Sequence, residues 1–277
     1  MPIPMLACLY NGCLTNHLTF PNRMVSFGDG LFETCLATSS GVRFLDDHME
    51  RLNEGARRLN LAWSASDQQS LDSEIQMALT SVNSAAVLKI TLGRQAAGRG
   101  YDYDPATQST NRLIQVFEYS LSNWYGTGAR VVTSSVPASI NPALAGIKHL
   151  NRLDSVLARQ TARQQGAHES LLGDGNGWLV EGSMSNLFYR RDGQWQTPDL
   201  VNAGVNGIIR RRWLQASANP LSVAAIQHRE LAHCDGVLIG NTLIGLVMVT
   251  HLDNEPVSPV NDAELAHLRT QIGLDFD

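Results

Sequence analysis

A mixed α/β fold with much antiparallel sheet, divided into two domains, is what the 277-residue chain predicts. Three observations predict it. Short β-branched and apolar stretches recur between Asp-Gly turns, as at Gly173-Asp174-Gly175-Asn176-Gly177 and Arg191-Asp192-Gly193. Longer stretches carry apolar residues at helical spacing. No strand leads into G-x-G-x-x-G with a helix behind it, which disfavours a Rossmann arrangement.

Residues 24–37 read as a strand with a Gly-Asp-Gly turn at Gly28-Asp29-Gly30, and Gly41-Val42-Arg43-Phe44 as the end of a hairpin. Asp46 or Asp47 can cap a helix that carries Met49, Leu52, Ala56 and Leu59 on one face. A second helix is expected over 67–81, and strands over 86–92 and 113–121 with a Gly-rich connection between them. The texture then changes. Ser122-Asn123-Trp124-Tyr125-Gly126-Thr127-Gly128 reads as a linker, so that 1–120 form a smaller N-terminal domain, 121–128 a connection and 129–277 a larger C-terminal domain. Residues 129–136 are strand-like. A helix is expected over 148–165, with Leu150, Leu153, Val156 and Leu157 at helical spacing and Gly166 at its end. Short strands follow at 170–172, 178–180, 186–189 and 195–197, then a helix from Ile208, strands near 221–226 and 237–239, and a last helix from Asp262.

Charge and cysteine content exclude some function classes. The net charge is −5 with 17% charged and 43% hydrophobic residues, enough for a sizeable core and no electrostatic case for nucleic acid. Cys8, Cys13, Cys35 and Cys234 form no C-x-x-C pair and no zinc-ligand spacing, so no metal is expected. They read as small buried hydrophobes in a reducing compartment. The apolar stretch 237–249 is broken by Gly240-Asn241-Thr242 and Gly245 and is too short to span a bilayer. With no secretory signal pattern at the N-terminus, a soluble cytoplasmic protein is expected.

Of 21 basic residues only Lys89 and Lys148 are lysines, so an amine nucleophile has two candidates. Lys89 lies in a strand with its amine on the open face. Lys148 lies in Gly146-Ile147-Lys148-His149-Leu150-Asn151-Arg152-Leu153, where a Gly-containing loop is expected to enter a helix. Downstream, Glu181 places a carboxylate at a strand end, and a small-residue loop leads on to Asn186. Val205-Asn206-Gly207-Ile208-Ile209-Arg210 puts Gly directly before a helix start, where backbone N–H groups suit a phosphate. Gly240-Asn241-Thr242 offers more donors, and His48-x-x-Arg51 a guanidinium whose planar fork also suits a phosphate. Amine, carboxylate, phosphate cup and arginine are what pyridoxal phosphate needs.

In their order and wording these segments resemble the fold-type IV pyridoxal phosphate enzymes, over residues 25–249. The family comprises branched-chain aminotransferases, D-amino acid aminotransferases and aminodeoxychorismate lyases. The resemblance rests on Phe27-Gly28-Asp29-Gly30-Leu31-Phe32-Glu33-Thr34, His48-Met49-Glu50-Arg51-Leu52, the Lys148 segment, 181–188 and 204–210. The Lys148 segment, Gly98-Arg99-Gly100-Tyr101 and Val205-Asn206-Gly207-Ile208 look like the lyase branch.

The resemblance implies a D-amino acid aminotransferase-like fold, a small α/β domain plus a larger pseudo-barrel domain. By position, Lys148 would be the Schiff-base lysine and catalytic base, and Glu181 the partner of the pyridine nitrogen. Arg51, Ile208, Ile209 and Asn241, with Val205 and Gly207 in the same loop, would hold the phosphate, the two Ile through backbone amides. Ser185 and Asn186 would line the ring. Thr34, catalytic together with Lys148, and Arg99 would meet the substrate. The tyrosine that follows the lysine segment in branched-chain relatives is absent, and Asn151 or Arg152 would stand beside the cofactor's phenolic oxygen. A homodimer is implied, with the Arg99 loop able to reach the neighbouring subunit's site. The implied activity is the lyase reaction. An aminotransferase on the same scaffold is the alternative, and a non-catalytic dimeric binding protein the alternative of another class.

Overall fold

The computed structural model describes residues 3–80 and 82–274. The chain divides into two compact units, Met1–Ser120 with Ile147–Asn151, and Leu121–Gly146 with Arg152–Asp277. The segment carrying Lys148 thus groups with the first unit, whereas the sequence reading assigned it to the C-terminal domain. Residues 121–128 group with the second unit.

The first unit contains β1 (Met5–Tyr10), β2 (Cys13–Leu14), α1 (Arg23–Phe27), β3 (Gly30–Thr38), β4 (Gly41–Val42), α2 (Leu45–Arg58), α3 (Ala65–Leu79), β5 (Ala86–Gln95) and β6 (Ser109–Glu118). Among the described residues its six-stranded antiparallel sheet runs β2-β1-β6-β5-β3-β4. Alternation sets the faces: Leu88, Ile90 and Leu92 of β5 are wholly buried, while Val87 and Lys89 are half-buried on the other side. α2 buries Met49, Leu52 and Ala56, as its helical spacing predicts. A fully buried leucine stabilises by about 1.5–3 kcal/mol. Ser64 and Asp67 close a capping box that starts α3. Ser81, the expected end of that helix, lies outside the described residues.

Three local expectations are corrected in this unit. Residues 23–27 are helical rather than part of a strand: Asn22 accepts the amides of Met24 and Val25, and Gly28, at φ 61°, ends the helix in the left-handed region. The helix is too short to show a period. α2 begins behind Phe44, so Asp46 and Asp47 occupy its first turn rather than its cap. Lys148 is not on a helix. The Phe32 amide donates to the Lys148 carbonyl at 2.9 Å and the Leu150 amide to the Gly30 carbonyl at 3.0 Å. The lysine segment therefore lies extended along the start of β3, and the helix begins only at Leu153.

The second unit contains α4 (Trp124–Thr127), β7 (Ala129–Thr133), α5 (Leu153–Gln164), β8 (Glu169–Gly173), β9 (Leu179–Gly182), β10 (Asn186–Arg191), β11 (Gln194–Thr197), α6 (Ile208–Gln215), β12 (Ser222–Val223), α7 (His228–Leu231), β13 (Gly236–Asn241), β14 (Gly245–Leu252), β15 (Glu255–Pro256) and α8 (Asp262–Gln271). Its mixed sheet runs β12-β11-β10-β13-β14-β7-β8-β9, with β15 paired to β14. Its core joins Leu171, Leu187, Tyr189, Val237, Ile239, Val247 and Val249. α5 buries Ala158 and Ala162, while Leu153, Val156 and Leu157, whose helical spacing marks the helix, are exposed. The strand β14 starts at Gly245 inside the apolar stretch, runs past its end to Leu252, and is not among the predicted strands. Of the four cysteines, Cys35 and Cys234 are buried, Cys8 is partly buried and Cys13 is exposed.

Candidate active site

The candidate residues fall in two sets, one in each unit. In the first unit, the extended backbone of the lysine segment brings the Lys148 Nζ to 4.2 Å from the Phe32 ring centroid. Thr34 lies two residues further along β3, facing Lys89 of β5 across the ladder. On the opposite face of β3, Glu33 meets α2. Its carboxylate accepts Arg51 Nε–H at 2.8 Å and Nη2–H at 2.5 Å, and pairs with His48 Nδ1 at 2.7 Å. All three side chains are buried. Burial alone would raise the Glu33 carboxyl, but the Arg51 charge and the hydrogen bonds from His48 and Arg51 outweigh it and hold it at about 2. Burial lowers the His48 pKa in spite of Glu33. The Arg51 fork thus lies along its Nε–Nη2 edge against the Glu33 carboxylate. Sequence reasoning missed Glu33 as Arg51's partner, although both lie in segments it singled out.

Arg99 is exposed, in the loop between β5 and β6. Asn151 donates to the Gly28 carbonyl at 3.1 Å.

In the second unit, Glu181 is the last residue but one of β9. Its Oε2 accepts the Val205 amide at 2.8 Å, and Arg152 stands 3.6 Å from its Oε1. Asn186 opens β10 and donates to the Val205 carbonyl at 2.9 Å. Val205 therefore ties the loop before α6 to both acid and amide. Gly207 is the N-cap of α6 and, lacking a side chain, supplies no cap to the first amides of that helix. A Cβ there would lie 2.0 Å from Asn186 Oδ1, so only glycine lets the loop pack this closely. Ile208 and Ile209 bury their side chains, which leaves their backbones to form the helix start.

Two expected roles are narrowed. The Asn241 side chain is spent on its turn: its Oδ1 accepts the amides of Leu243 and Ile244, and its Nδ2 donates to the Met184 carbonyl. The Ser185 hydroxyl donates to Glu169 Oε2 at 2.8 Å. Glu169, wholly buried, also accepts the amides of Ser170, Ser183 and Met184 and the Ser183 hydroxyl. This one carboxylate holds the loop between Glu181 and Asn186. Sequence reasoning missed it, and its only signal was an acid at the head of the apolar run Ser170-Leu171-Leu172.

The donor set fits pyridoxal phosphate within each unit: an amine and an arginine in the first, and in the second a carboxylate beside an arginine and an uncapped helix start pressed against Asn186. Among the described residues no cluster of His, Cys, Asp and Glu could hold a metal ion. No helix among them is long and apolar enough to cross a membrane.

Comparison with known proteins agrees. The family model for class IV amino-transferases matches residues 30–252. The crystal structure of 4-amino-4-deoxychorismate lyase from Pseudomonas aeruginosa superimposes with a TM-score of 0.85, at 32% identity, covering 98% of this chain and 99% of that one. An aminodeoxychorismate lyase of Vibrio harveyi is 26% identical over 245 residues, 87% of this chain and 89% of its own length. A D-alanine aminotransferase of Staphylococcus epidermidis is 25% identical over 265 residues, 94% of this chain and 91% of its own. The fold is that of the fold-type IV pyridoxal phosphate enzymes. The chain belongs to the class IV aminotransferase family, whose cofactor is pyridoxal phosphate.

Proposed function

We propose that the chain is a lyase acting on 4-amino-4-deoxychorismate, releasing pyruvate and 4-aminobenzoate. The observation that carries this reading is the 32% identity to the Pseudomonas lyase over 98% of the chain. When bound, pyridoxal phosphate supplies an electron sink for the pair released as the substrate's C4 proton leaves. The chain's residues do the rest. Lys148 would hold the cofactor through its Nζ, and the same amine would take the substrate's C4 proton. The enolpyruvyl oxygen leaves from C3, the ring becomes aromatic, and Lys148 returns a proton to the departing group. Glu181, steadied by the Val205 amide and neighboured by Arg152, holds a proton on the cofactor's ring nitrogen. The amides of Ile208 and Ile209 bind the phosphate beside Gly207, with Arg51, and with the Asn241 turn through its backbone. Ser185 and Asn186 border the ring. Thr34 and Arg99 receive the substrate, whose two carboxylates suit a guanidinium. We place the reaction in the cytoplasm and in a homodimer, for which the exposed Leu153, Val156 and Leu157 of α5 offer apolar surface.

The Staphylococcus relative favours a second reading, transamination of D-amino acids. Two assays on the purified, cofactor-loaded protein separate them: pyruvate formed from aminodeoxychorismate, and keto acid formed from D-alanine or branched-chain amino acids with 2-oxoglutarate. Faster pyruvate release is expected, together with loss of both turnover and the visible cofactor band in Lys148→Ala. Keto-acid formation as the faster reaction would replace the lyase reading with the second one.

A further inference from the structure

The loop that carries Arg99 is held by a residue that the proposed chemistry does not use. Arg23, at the start of α1 and only 9% exposed, sends Nη1–H to the carbonyls of Gly100 at 3.1 Å and Asp102 at 3.3 Å, and Nη2–H to that of Tyr101 at 3.2 Å. Three successive carbonyls, 77 to 79 residues away in sequence, therefore converge on one guanidinium. Its third nitrogen is fixed as well: Nε–H donates to Asp29 Oδ2 at 2.8 Å, and the same oxygen accepts Arg94 Nε–H at 3.0 Å. Arg94 lies over the Tyr103 ring at 4.1 Å, and Phe27 and Tyr101 pack ring to ring at 5.3 Å. At Gly98, φ is 139° and a Cβ would stand 2.5 Å from the Asp102 carbonyl oxygen, so the loop closes tightly on itself.

An exposed loop with two glycines would ordinarily sample many conformations. Here the backbone on the C-terminal side of Arg99 is pinned by a buried cation with planar fork geometry, while the Arg99 side chain itself remains at the surface. We infer that Arg23 is a positioning residue for substrate recognition: by binding the carbonyls of Gly100, Tyr101 and Asp102 it presets the backbone from which Arg99 reaches a substrate carboxylate. This rests on the reading that Arg99 meets the substrate. Ordering the loop before the substrate arrives removes an entropic cost from binding and leaves the chemical step alone.

The test combines amide hydrogen exchange with steady-state kinetics on the cofactor-loaded enzyme. In Arg23→Gln the amides of residues 98–103 should exchange at least about tenfold faster while β5 and β6 keep their protection. KM for aminodeoxychorismate should rise about tenfold with kcat within about twofold. Arg23→Lys should rescue neither, because an ammonium cannot present the fork. In an Arg99→Ala background the further change Arg23→Gln should leave KM unaltered, since the loop then has nothing to present. If Arg23→Gln does not fold, Gly98→Ala disturbs the same loop from its other side and should give the same KM-only change. Unchanged loop exchange, an unchanged KM, or a KM rise that persists undiminished in the Arg99→Ala background would each overturn the inference. Wild-type protein that forms no pyruvate would overturn the lyase reading alone; loop exchange and KM for the keto-acid-forming substrate would then decide on Arg23.

Discussion

Glu33 and Arg51 are joined by two parallel hydrogen bonds of 2.8 and 2.5 Å, with 1% and 7% of their side chains exposed. The pair links strand β3 to helix α2 and fixes the guanidinium in one orientation. Removing one member of a buried pair strands the other, so the consequences of breaking it are large and measurable.

Glu33→Gln keeps the shape but replaces one acceptor oxygen with a donor facing Arg51 or His48. A loss of about 3–5 kcal/mol in unfolding free energy is expected from urea denaturation. Affinity for pyridoxal phosphate should fall with it, because Arg51 is no longer held in one orientation. A variant as stable as wild type would show that the pair carries no such role.

The same cluster sets the acid stability. The Glu33 carboxyl titrates at about 2 in the folded protein against 4.5 ordinarily. As pH falls the unfolded chain takes up this proton first, so the contribution is whole above 4.5 and is lost toward 2. Its size is on the order of 3 kcal/mol. His48, with its pKa lowered mainly by burial, adds a loss of the same sign below its ordinary value of 6.5. The unfolding free energy from urea should fall more steeply below 4.5 in the wild type, and Glu33→Gln should reduce that steepening, leaving the share of Asp154, which, against its burial, the amides of Ser139 and Ser155 also hold low.

Gly207→Ala tests the proposed phosphate cup in the second unit. The added methyl would meet Asn186 Oδ1 at 2.0 Å, so the start of α6 or the Asn186 side chain must move. Overpacking of this kind costs about 1–3 kcal/mol. Titration of the apoprotein with pyridoxal phosphate should give an affinity weaker by about tenfold or more, while far-ultraviolet circular dichroism stays unchanged.

The elements with a strong local period could be read directly from the residues. The Met49, Leu52 and Ala56 stripe marks α2, alternation marks β5, and Gly207 marks the start of α6, because helix and strand periodicities act between residues two to four apart. The order of Lys148, Glu181 and the 204–210 loop also pointed to a cofactor and a family before any fold was known. What held these groups in place was illegible. Glu33 finds Arg51 over 18 residues, Asp29 finds Arg94 over 65, and Arg23 finds the Arg99 loop over 77 or more. The segment at 148–150 gives up its expected helix because β3 offers its backbone better partners. Likewise Glu169 shows no motif, and acquires its role only when the 183–185 loop folds its donors onto one carboxylate. Buried polar groups must be satisfied, but which partner satisfies them is a matter of packing over long separations, and no local pattern encodes it.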